Sequence, residues 1–485
     1  MSDTDRGEAT VNLEAAAKAG LKRIIVEALS SECYDFLKFS NGETFSNVQF
    51  SHFVDQQVAI FRDHADVERC AIWGEKNVWA YATICAALVE EVTFCIIDPL
   101  LPAARKDEII SNFQPSLLLS GERVDKIQDH SIGPVQIDVS NTAYVMFTSG
   151  SSGHPKGVRI SYSNFLTFLN GAFKAFGVTS GDRWANHANL SFDLSLFDLL
   201  GSLKAGATLY PVVDSSDKLF PGGFIERNEI TVWHSTPTTV RYLIAEQAGQ
   251  KGKLKKLREI LMCGEALRTE WVRYLLENGQ KNASVYNCYG PTETTVFCTV
   301  DRFSDPKDDR LAGAYAPFGS ELEKVKLVFE PVSDDEFEVI IRGDTVGQGY
   351  ENEATVLRNG YGDDDGGRFF RTGDIAELRG GSAYFKRRSD RQVKIGGNRF
   401  ELEEAEAILG FHSCFDCVFC VHNDRLHLVV GPGCECSDTR LKDVCLANLP
   451  DFAQPRDIIR VSEWPISLNG KLDNKALARL ISSED

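Results

Sequence analysis

Short apolar runs alternate with amphipathic segments along most of the chain. The runs Ala143–Phe147, Val232–His234 and Glu259–Met262 have the length of buried strands, and the segments that flank them have the apolar spacing of helices. From about residue 20 to about residue 380, this alternation predicts an α/β fold with stacked α/β layers and largely parallel strands.

The pattern changes near both ends of the chain. Residues 1–15 are small and polar, which predicts a flexible N-terminus. A new stretch of about 95 residues follows Arg387–Asp390, and this length suits a small second domain. We therefore expect a large N-terminal domain over residues 16–388 and a smaller α+β domain over residues 389–485.

Composition narrows the class of protein. The chain has 485 residues and is 43% hydrophobic, and its 70 acidic and 52 basic residues give a net charge of −18. This acidic balance argues against a surface built for nucleic acid or anionic lipid.

The apolar stretch Tyr81–Ile97 is broken by Glu90 and Glu91, so no membrane span is expected. The N-terminus lacks the order of a signal peptide, and thirteen scattered cysteines do not form a secreted disulfide pattern. We therefore expect a cytoplasmic protein.

A loop rich in glycine and hydroxyl groups follows the predicted strand Ala143–Phe147. It has the sequence TSGSSGHPKG over residues 148–157. Its glycine-freed backbone N–H groups, its four hydroxyls and the ammonium of Lys156 can bind phosphate oxygens. A Walker P-loop that begins at Gly150 would need glycine at Pro155 and Ser or Thr at Gly157, so that class is disfavoured.

This loop resembles the phosphate loop of the AMP-forming adenylation superfamily. That superfamily includes acyl-CoA synthetases, luciferases and the amino-acid-adenylating domains of peptide synthetases. The resemblance implies that ATP phosphates are bound by Thr148, Ser149, Gly150, Ser151, Ser152 and Lys156.

Four later blocks resemble the same superfamily, in the same order. Tyr286–Val296 has the sequence YNCYGPTETTV, Arg371–Asp374 is RTGD, Phe385–Glu404 contains SDRQVKIGGNRFELEE, and Pro465–Leu477 is PISLNGKLDNKAL. With the phosphate loop, the resemblance covers residues 20–480, nearly the whole chain, and implies a small C-terminal domain that is mobile.

The resemblance also implies a role for particular residues in these blocks. The implied roles are adenine stacking by Tyr289, phosphate contact by Thr292, Mg²⁺ binding by Glu293, ribose binding by Asp374 and Arg388, a hinge at Asp390, and a catalytic lysine, Lys471. Gly264, Asn287, Cys288, Gly290 and Phe385 complete the implied nucleotide site. Arg387 and Gly396 replace a glycine and an arginine that are usual in the superfamily, which leaves the contact of that arginine open.

The segment Ser191–Ser195, SFDLS, bears on the acid that is activated. An aspartate in an apolar run is costly unless it meets a cation, and a helix cap is the structural alternative. The segment resembles the FDxS motif of amino-acid-adenylating enzymes, whose aspartate pairs with the substrate's α-ammonium. Asp193 therefore favours an amino acid over a simple acyl group.

The remaining pocket wall is expected to be apolar. By motif resemblance it consists of Leu194, Phe197, Leu261, Cys263, Cys288 and Val296. This wall suits a small aliphatic side chain, and residues 261–267, LMCGEAL, resemble D-alanine–carrier-protein ligases. Alanine is therefore favoured, and proline, serine, aminobutyrate and β-amino acids stay open.

The implied reaction is ATP-dependent formation of an aminoacyl adenylate with release of pyrophosphate, followed by transfer to a thiol. No carrier motif follows Lys471, so we expect the thiol to be the phosphopantetheine arm of a separate carrier protein, with coenzyme A as second choice. Two alternatives stay open. One is an acyl- or aryl-CoA synthetase in which Asp193 is structural, and the other is a non-catalytic adenylate-binding protein.

Several cysteines and histidines lie outside these blocks. A group of cysteines near the C-terminal end suggests zinc, but its spacing favours a strand in which Cys414 and Cys420 face one way and Cys417 the other. Free cysteine is commonly a small buried apolar residue. The remaining members of the group are Cys434 and Cys436, and the histidines interpreted as loop or core residues are His154, His187 and His234.

Overall fold

A computed structural model describes residues 3–121, 123–127, 139–148, 154–246, 254–351, 360–422, 425–465 and 481, with side chains from residue 12 onward. The chain forms two compact units. The first contains residues 1–99, 111–146 and 157–389, and the second contains residues 100–110, 147–156 and 390–485.

The helices of the described residues are spread over both units. They are α1 (Asp3–Ser30), α2 (Asn47–Asp63), α3 (Val78–Val89), α4 (Ala103–Phe113), α5 (Tyr162–Ala175), α6 (Asp193–Ala205), α7 (Ser215–Leu219), α8 (Pro221–Arg227), α9 (Thr238–Glu246), α10 (Thr269–Asn278), α11 (Leu402–Phe411) and α12 (Asp438–Asn448). Short 3₁₀ helices form at Thr292–Thr294, Asp309–Ala312 and Asp451–Ala453. In the part of the chain that the structure describes, no helix has the length and apolarity needed to cross a bilayer.

Helix α1 begins at Asp3, and the flexibility expected for residues 1–15 stays a prediction. Ala17, Leu21 and Ile25 follow one another at intervals of four residues and are buried. This spacing places them on one helix face, so an apolar stripe fixes α1 against the first unit.

The strands follow in chain order. They are β1 (Asp35–Lys38), β2 (Thr44–Ser46), β3 (Arg69–Trp73), β4 (Thr93–Ile97), β5 (Leu117–Ser120), β6 (Arg123–Lys126), β7 (Thr142–Thr148), β8 (Lys156–Ser161), β9 (Arg183–Asn186), β10 (Thr208–Pro211), β11 (Val232–Ser235), β12 (Glu259–Cys263), β13 (Ser284–Tyr289), β14 (Thr299–Phe303), β15 (Ser320–Glu321), β16 (Val325–Pro331), β17 (Phe337–Gly343), β18 (Gly349–Tyr350), β19 (Tyr361–Asp364), β20 (Gly367–Arg379), β21 (Ser382–Arg388), β22 (Gln392–Ile395), β23 (Asn398–Glu401), β24 (Cys417–His422), β25 (Arg425–Val430) and β26 (Ile458–Arg460).

Two large sheets have parallel centres. One has the order β15-β14-β13-β12-β11-β9-β10-β1-β2, and its pairs from β1 to β13 are parallel. The other has the order β18-β8-β7-β4-β3-β5-β6. The three runs predicted as strands lie in β7, β11 and β12, so the predicted α/β layering is confirmed. A smaller antiparallel sheet has the order β16-β17-β20-β19, with β21 paired to β20.

The second unit has a separate apolar core. Its described sheets are the pair β22-β23 and the three-stranded β24-β25-β26, and α11 and α12 pack with them. Cys414 precedes β24, which begins at Cys417, so the expectation that Cys414 shares a strand face with Cys420 was wrong. The backbone turns at Ser413 and Asp416, both with φ near +60°, so the strand starts later than expected.

Candidate active site

Tyr289, Asp374 and Arg388 come from three different sequence blocks and meet in the first unit. Tyr289 ends β13, and its hydroxyl donates to Asp374 Oδ2 over 2.8 Å. Asp374 and Arg388 are directly paired residues of β20 and β21, and Arg388 Nη1 lies 2.9 Å from Asp374 Oδ1. Burial, followed by the charge of Asp374, raises the pKa of Tyr289, so its hydroxyl stays protonated and donates.

The ring of Tyr289 is fixed by stacking. It lies on Phe318 with ring centroids 4.1 Å apart and an interplanar angle of 24°. Asn287, two residues earlier on β13, donates from Nδ2 to the carbonyl of Pro317 over 2.8 Å, which holds the segment that carries Phe318. An aromatic surface with a buried carboxylate at its edge suits a nucleoside, whose base stacks and whose ribose hydroxyls donate.

The remaining predicted nucleotide residues border this group. Gly290 lies so close to the backbone of Phe297 that a Cβ at Gly290 would be 2.6 Å from Phe297 Cα, so only glycine fits. Gly264 follows β12 with φ near +96°, a conformation that glycine adopts without strain. Phe385 pairs with Ala376 in the β20–β21 ladder.

Glu293 is fully buried and firmly held. It lies in the 3₁₀ helix Thr292–Thr294, and its Oε1 accepts from the hydroxyl of Tyr350 over 2.8 Å. Its carbonyl accepts from Gly347 N and from the hydroxyl of Tyr361. A buried carboxylate with a fixed orientation is the hard oxygen ligand that Mg²⁺ prefers, so the residue fits the predicted metal role.

A strained turn follows Glu293. Thr295 and Val296 have φ near +64° and +63°, a left-handed conformation that β-branched residues rarely adopt. Such strain costs about 1–3 kcal/mol per residue and is typical of functional sites. Thr295 Oγ1 donates to the carbonyl of Thr345 over 2.7 Å, and Val296 N donates to Asp193 Oδ2 over 3.3 Å. The turn therefore directs a backbone N–H group at Asp193.

Asp193 is the first residue of α6 and is only 3% exposed. The N-cap of α6 is Phe192, which makes no side-chain capping bond, so Asp193 is not a helix cap. Burial, with a smaller contribution from the charge of Glu293, raises the pKa of Asp193 to about 6 against the hydrogen bonds of Val296 and Thr292. Two interacting buried carboxylates make this part of the site attractive to cations.

The predicted apolar wall is brought together in one cluster. Cys263 at the end of β12 is paired with Cys288 of β13, and the rings of Phe197 and Phe297 pack edge to face with centroids 5.5 Å apart. The buried members of this cluster include Leu194, Phe197, Leu261, Cys263, Cys288, Val296 and Phe297.

His234 belongs to the same region, although its sequence suggested only a core or loop residue. It is paired with Leu261 in the β11–β12 ladder, and its ring lies edge-on to Phe197 and Phe297 at 5.7 Å and 6.3 Å. Its Nδ1 lies 2.8 Å from Asp198 Oδ1, and its buried Nε2 has no hydrogen-bond partner among the described residues. The sequence offered one signal for this contact. Asp198 is a second aspartate in the apolar run that contains Asp193, and a buried carboxylate at Asp198 needs hydrogen-bond donors.

Other predicted residues belong to the second unit. Thr148 ends β7, and its buried Oγ1 has no hydrogen-bond partner within the described ranges. This hydroxyl therefore fits the predicted role of binding a ligand. Lys156 begins β8 and is buried, and Asp390 is the first residue of the last segment of this unit. Ser149, Gly150, Ser151, Ser152 and Lys471 lie outside the described residues.

Comparison with known proteins agrees with this arrangement. Residues 36–351 match the family model described as AMP-binding enzyme. A D-alanine–D-alanyl carrier protein ligase of Bacillus cereus is 30% identical over 421 residues, which cover 79% of this chain and 83% of that protein. The same-named ligase of Staphylococcus aureus is 29% identical over 440 residues, which cover 85% of this chain and 89% of that protein. The adenylation domain AlmE of Vibrio cholerae, solved with glycyl-adenosine-5′-phosphate, has the same fold with a TM-score of 0.82, at 21% identity over 96% of this chain and 98% of that one.

Proposed function

Because the chain belongs to the AMP-binding enzyme family, we propose that it is an AMP-forming ligase that activates a small amino acid and transfers it to a carrier protein. The thiol acceptor is the phosphopantetheine arm of a separate carrier. The D-alanyl carrier protein ligases that the chain resembles support both the amino acid and the carrier.

The observation that carries this proposal is the carboxylate of Asp193. It is buried, it does not cap its helix, and the carboxylate of Glu293 raises its pKa further. A substrate α-ammonium would remove this electrostatic cost by pairing with Asp193. An acyl or aryl acid has no such group, so the CoA synthetase alternative leaves the ionised carboxylate unpaired by substrate.

In the first half-reaction, the substrate carboxylate attacks the α-phosphorus of ATP, and the bond to pyrophosphate breaks. Tyr289, Asp374 and Arg388 bind the adenosine, and Thr292 contacts phosphate. Thr148, Lys156 and the loop between them bind the phosphates that leave. No general base is required, because a carboxylic acid is already ionised at pH 7.

Charge neutralisation is the main requirement of this step, because two anions approach each other. Glu293, oriented by Tyr350, would hold Mg²⁺, which supplies positive charge to the phosphates. We assign Lys471 as the lysine that bridges the substrate carboxylate and the α-phosphate.

In the second half-reaction, the carrier thiol attacks the acyl carbon of the adenylate, and AMP leaves. We assign Asp390 as the hinge about which residues 389–485 move between the half-reactions, so that Lys471 serves the first one only. ATP and carrier proteins of this kind are available in the cytoplasm, where we place the enzyme.

The substrate is a small amino acid, with alanine favoured by the apolar wall around Phe197 and Cys263. Proline, serine, aminobutyrate and β-amino acids are the competing choices, because nothing in the wall excludes them. Both enantiomers belong in the test.

Pyrophosphate release in the presence of hydroxylamine tests the proposal across D- and L-amino acids, β-amino acids and simple carboxylates. One small amino acid should stand well above the rest, and Lys471→Ala should abolish its signal. A response only to acids without an amine would establish an acyl ligase instead. Silence with every acid, while ATP still binds, would favour the non-catalytic alternative.

A further inference from the structure

Four cysteines of the second unit lie together as two close pairs. Cys436 Sγ is 2.8 Å from Cys414 Sγ, and Cys417 Sγ is 3.6 Å from Cys434 Sγ. None of the four belongs to the site described above, and all are free thiols.

The two chain segments that carry these thiols are fixed by Asp416. Its Oδ2 accepts from Gly433 N over 2.7 Å, and its Oδ1 accepts from Trp464 Nε1 over 2.6 Å. Its carbonyl accepts from Gly431 N over 2.8 Å. Because one residue joins both segments, the facing thiols are held in place before any reaction occurs.

The spacing of Cys414 and Cys436 does not suit two ligands of one metal ion. Two ligands of one tetrahedral zinc, each about 2.3 Å from it, stand about 3.8 Å apart, and the Cys414–Cys436 pair is much closer. Across the described ranges, no group of three or more His, Cys, Asp and Glu residues is arranged to bind a metal ion. The close approach of the two sulfur atoms favours a disulfide between them.

Each pair combines a shielded sulfur and an accessible one. Cys414 and Cys434 are buried, whereas Cys436 and Cys417 are partly exposed. The accessible thiol can therefore react with an oxidant in solution, and the buried thiol lies next to it. The hydrogen bond to Cys414 raises the pKa of Cys436, which leaves less of the reactive thiolate and slows its oxidation.

We propose that Cys414 and Cys436 form a reversible disulfide when the protein meets hydrogen peroxide, with Cys417 and Cys434 as a second pair. Cys436 Sγ attacks a peroxide oxygen, the O–O bond breaks, and the hydroxide released takes a proton to become water. Cys414 Sγ then attacks the resulting sulfenic sulfur, its own proton and the sulfenic oxygen leave as a second water, and the disulfide forms. The two thiols lose two electrons in total, and the peroxide gains them.

The link joins the turn after α11 to the segment that precedes α12. Cys436 directly precedes Ser437, the N-cap of α12. Oxidation therefore cross-links these two segments of the second unit, and a small external thiol reductant such as dithiothreitol returns them to the reduced state by exchange. Transient disulfides of this kind are the usual form in reducing compartments.

The test uses the full chain, exposed to hydrogen peroxide, denatured, alkylated and mapped by mass spectrometry. The expected result is a cross-linked peptide that contains Cys414 and Cys436, that disappears with dithiothreitol and is absent in Cys436→Ser. Cys85, a buried cysteine of α3 in the first unit, should stay fully alkylated. Cys417→Ser should leave the Cys414–Cys436 link intact.

Two results would overturn the proposal. One is full alkylation of Cys414 and Cys436 in a large excess of hydrogen peroxide, after prolonged exposure that oxidises the exposed Cys33 completely. The other is one tightly bound zinc per chain in the purified protein, lost in Cys414→Ser, which would make the group a metal site. Neither result bears on amino acid activation, so this proposal fails or stands independently of the proposed function.

Discussion

Replacement of Asp193 by asparagine should raise the stability of the ligand-free protein and lower its activity. A carboxyl group whose pKa rises from 3.8 to about 6 on folding makes the folded state less favourable by about 3 kcal/mol once it is ionised. The direction in which stability changes with pH follows from proton binding. Between about pH 4 and pH 6 the folded state holds a proton that the unfolded state has lost, so stability falls as the pH rises through this window.

Asparagine keeps the shape of the side chain and cannot ionise. We therefore expect Asp193→Asn to be more stable than the parent protein at pH 7.5, by up to about 3 kcal/mol, and no more stable than it near pH 4. The same variant should lose about a hundred-fold to several-thousand-fold in kcat/KM for the amino acid, because removal of one partner of a buried ion pair costs about 3–5 kcal/mol. Thermal unfolding at the two pH values, together with pyrophosphate release, measures both effects.

Asp198→Asn is the matched control on the same helix. Its carboxylate accepts from Trp184 Nε1, Asn186 Nδ2 and His234 Nδ1, so its loss leaves buried donors unsatisfied. We expect this variant to be less stable than the parent protein at pH 7.5. If Asp193→Asn is destabilised as much as Asp198→Asn, the carboxylate of Asp193 is a structural group and does not serve to bind the substrate ammonium.

Three further changes test other parts of the site. Tyr350→Phe removes the hydroxyl that orients Glu293, so the Mg²⁺ concentration for half-maximal activity should rise several-fold with little change in stability; an unchanged Mg²⁺ titration would contradict that role. His234→Leu should change the ranking of amino acids in kcat/KM while the KM for ATP stays the same, and an unchanged ranking would place His234 in the core alone. Gly290→Ala forces a Cβ against Phe297, so thermal unfolding should occur at a lower temperature; equal stability would mean that the backbone relaxes easily.

Much of the candidate nucleotide site could be assembled from the sequence, because its residues lie in contiguous blocks. Tyr289, Asp374 and Arg388 each belong to a short motif, and the strand pairing of Asp374 with Arg388 then brings two blocks together. The layered α/β fold was equally accessible, since buried parallel strands leave continuous apolar runs in the sequence.

The features that were missed depend on contacts between distant segments. The left-handed turn at Thr295 and Val296 opposes the local preference of both residues, and it persists because Thr345 and Asp193 accept their hydrogen bonds. His234 is buried, in agreement with the core interpretation from the sequence, but its contact with Asp198 on another element could not be predicted from either segment alone.

ATP–pyrophosphate exchange with alanine and with propionate tests the central claim most directly, because the two acids differ only in the amine. We expect exchange with one enantiomer of alanine and little with propionate. We also expect Asp193→Asn to remove most of this difference by lowering the alanine rate. Equal exchange with both acids in the parent protein, unchanged in the variant, would contradict the assignment of Asp193 as the group that binds the substrate ammonium.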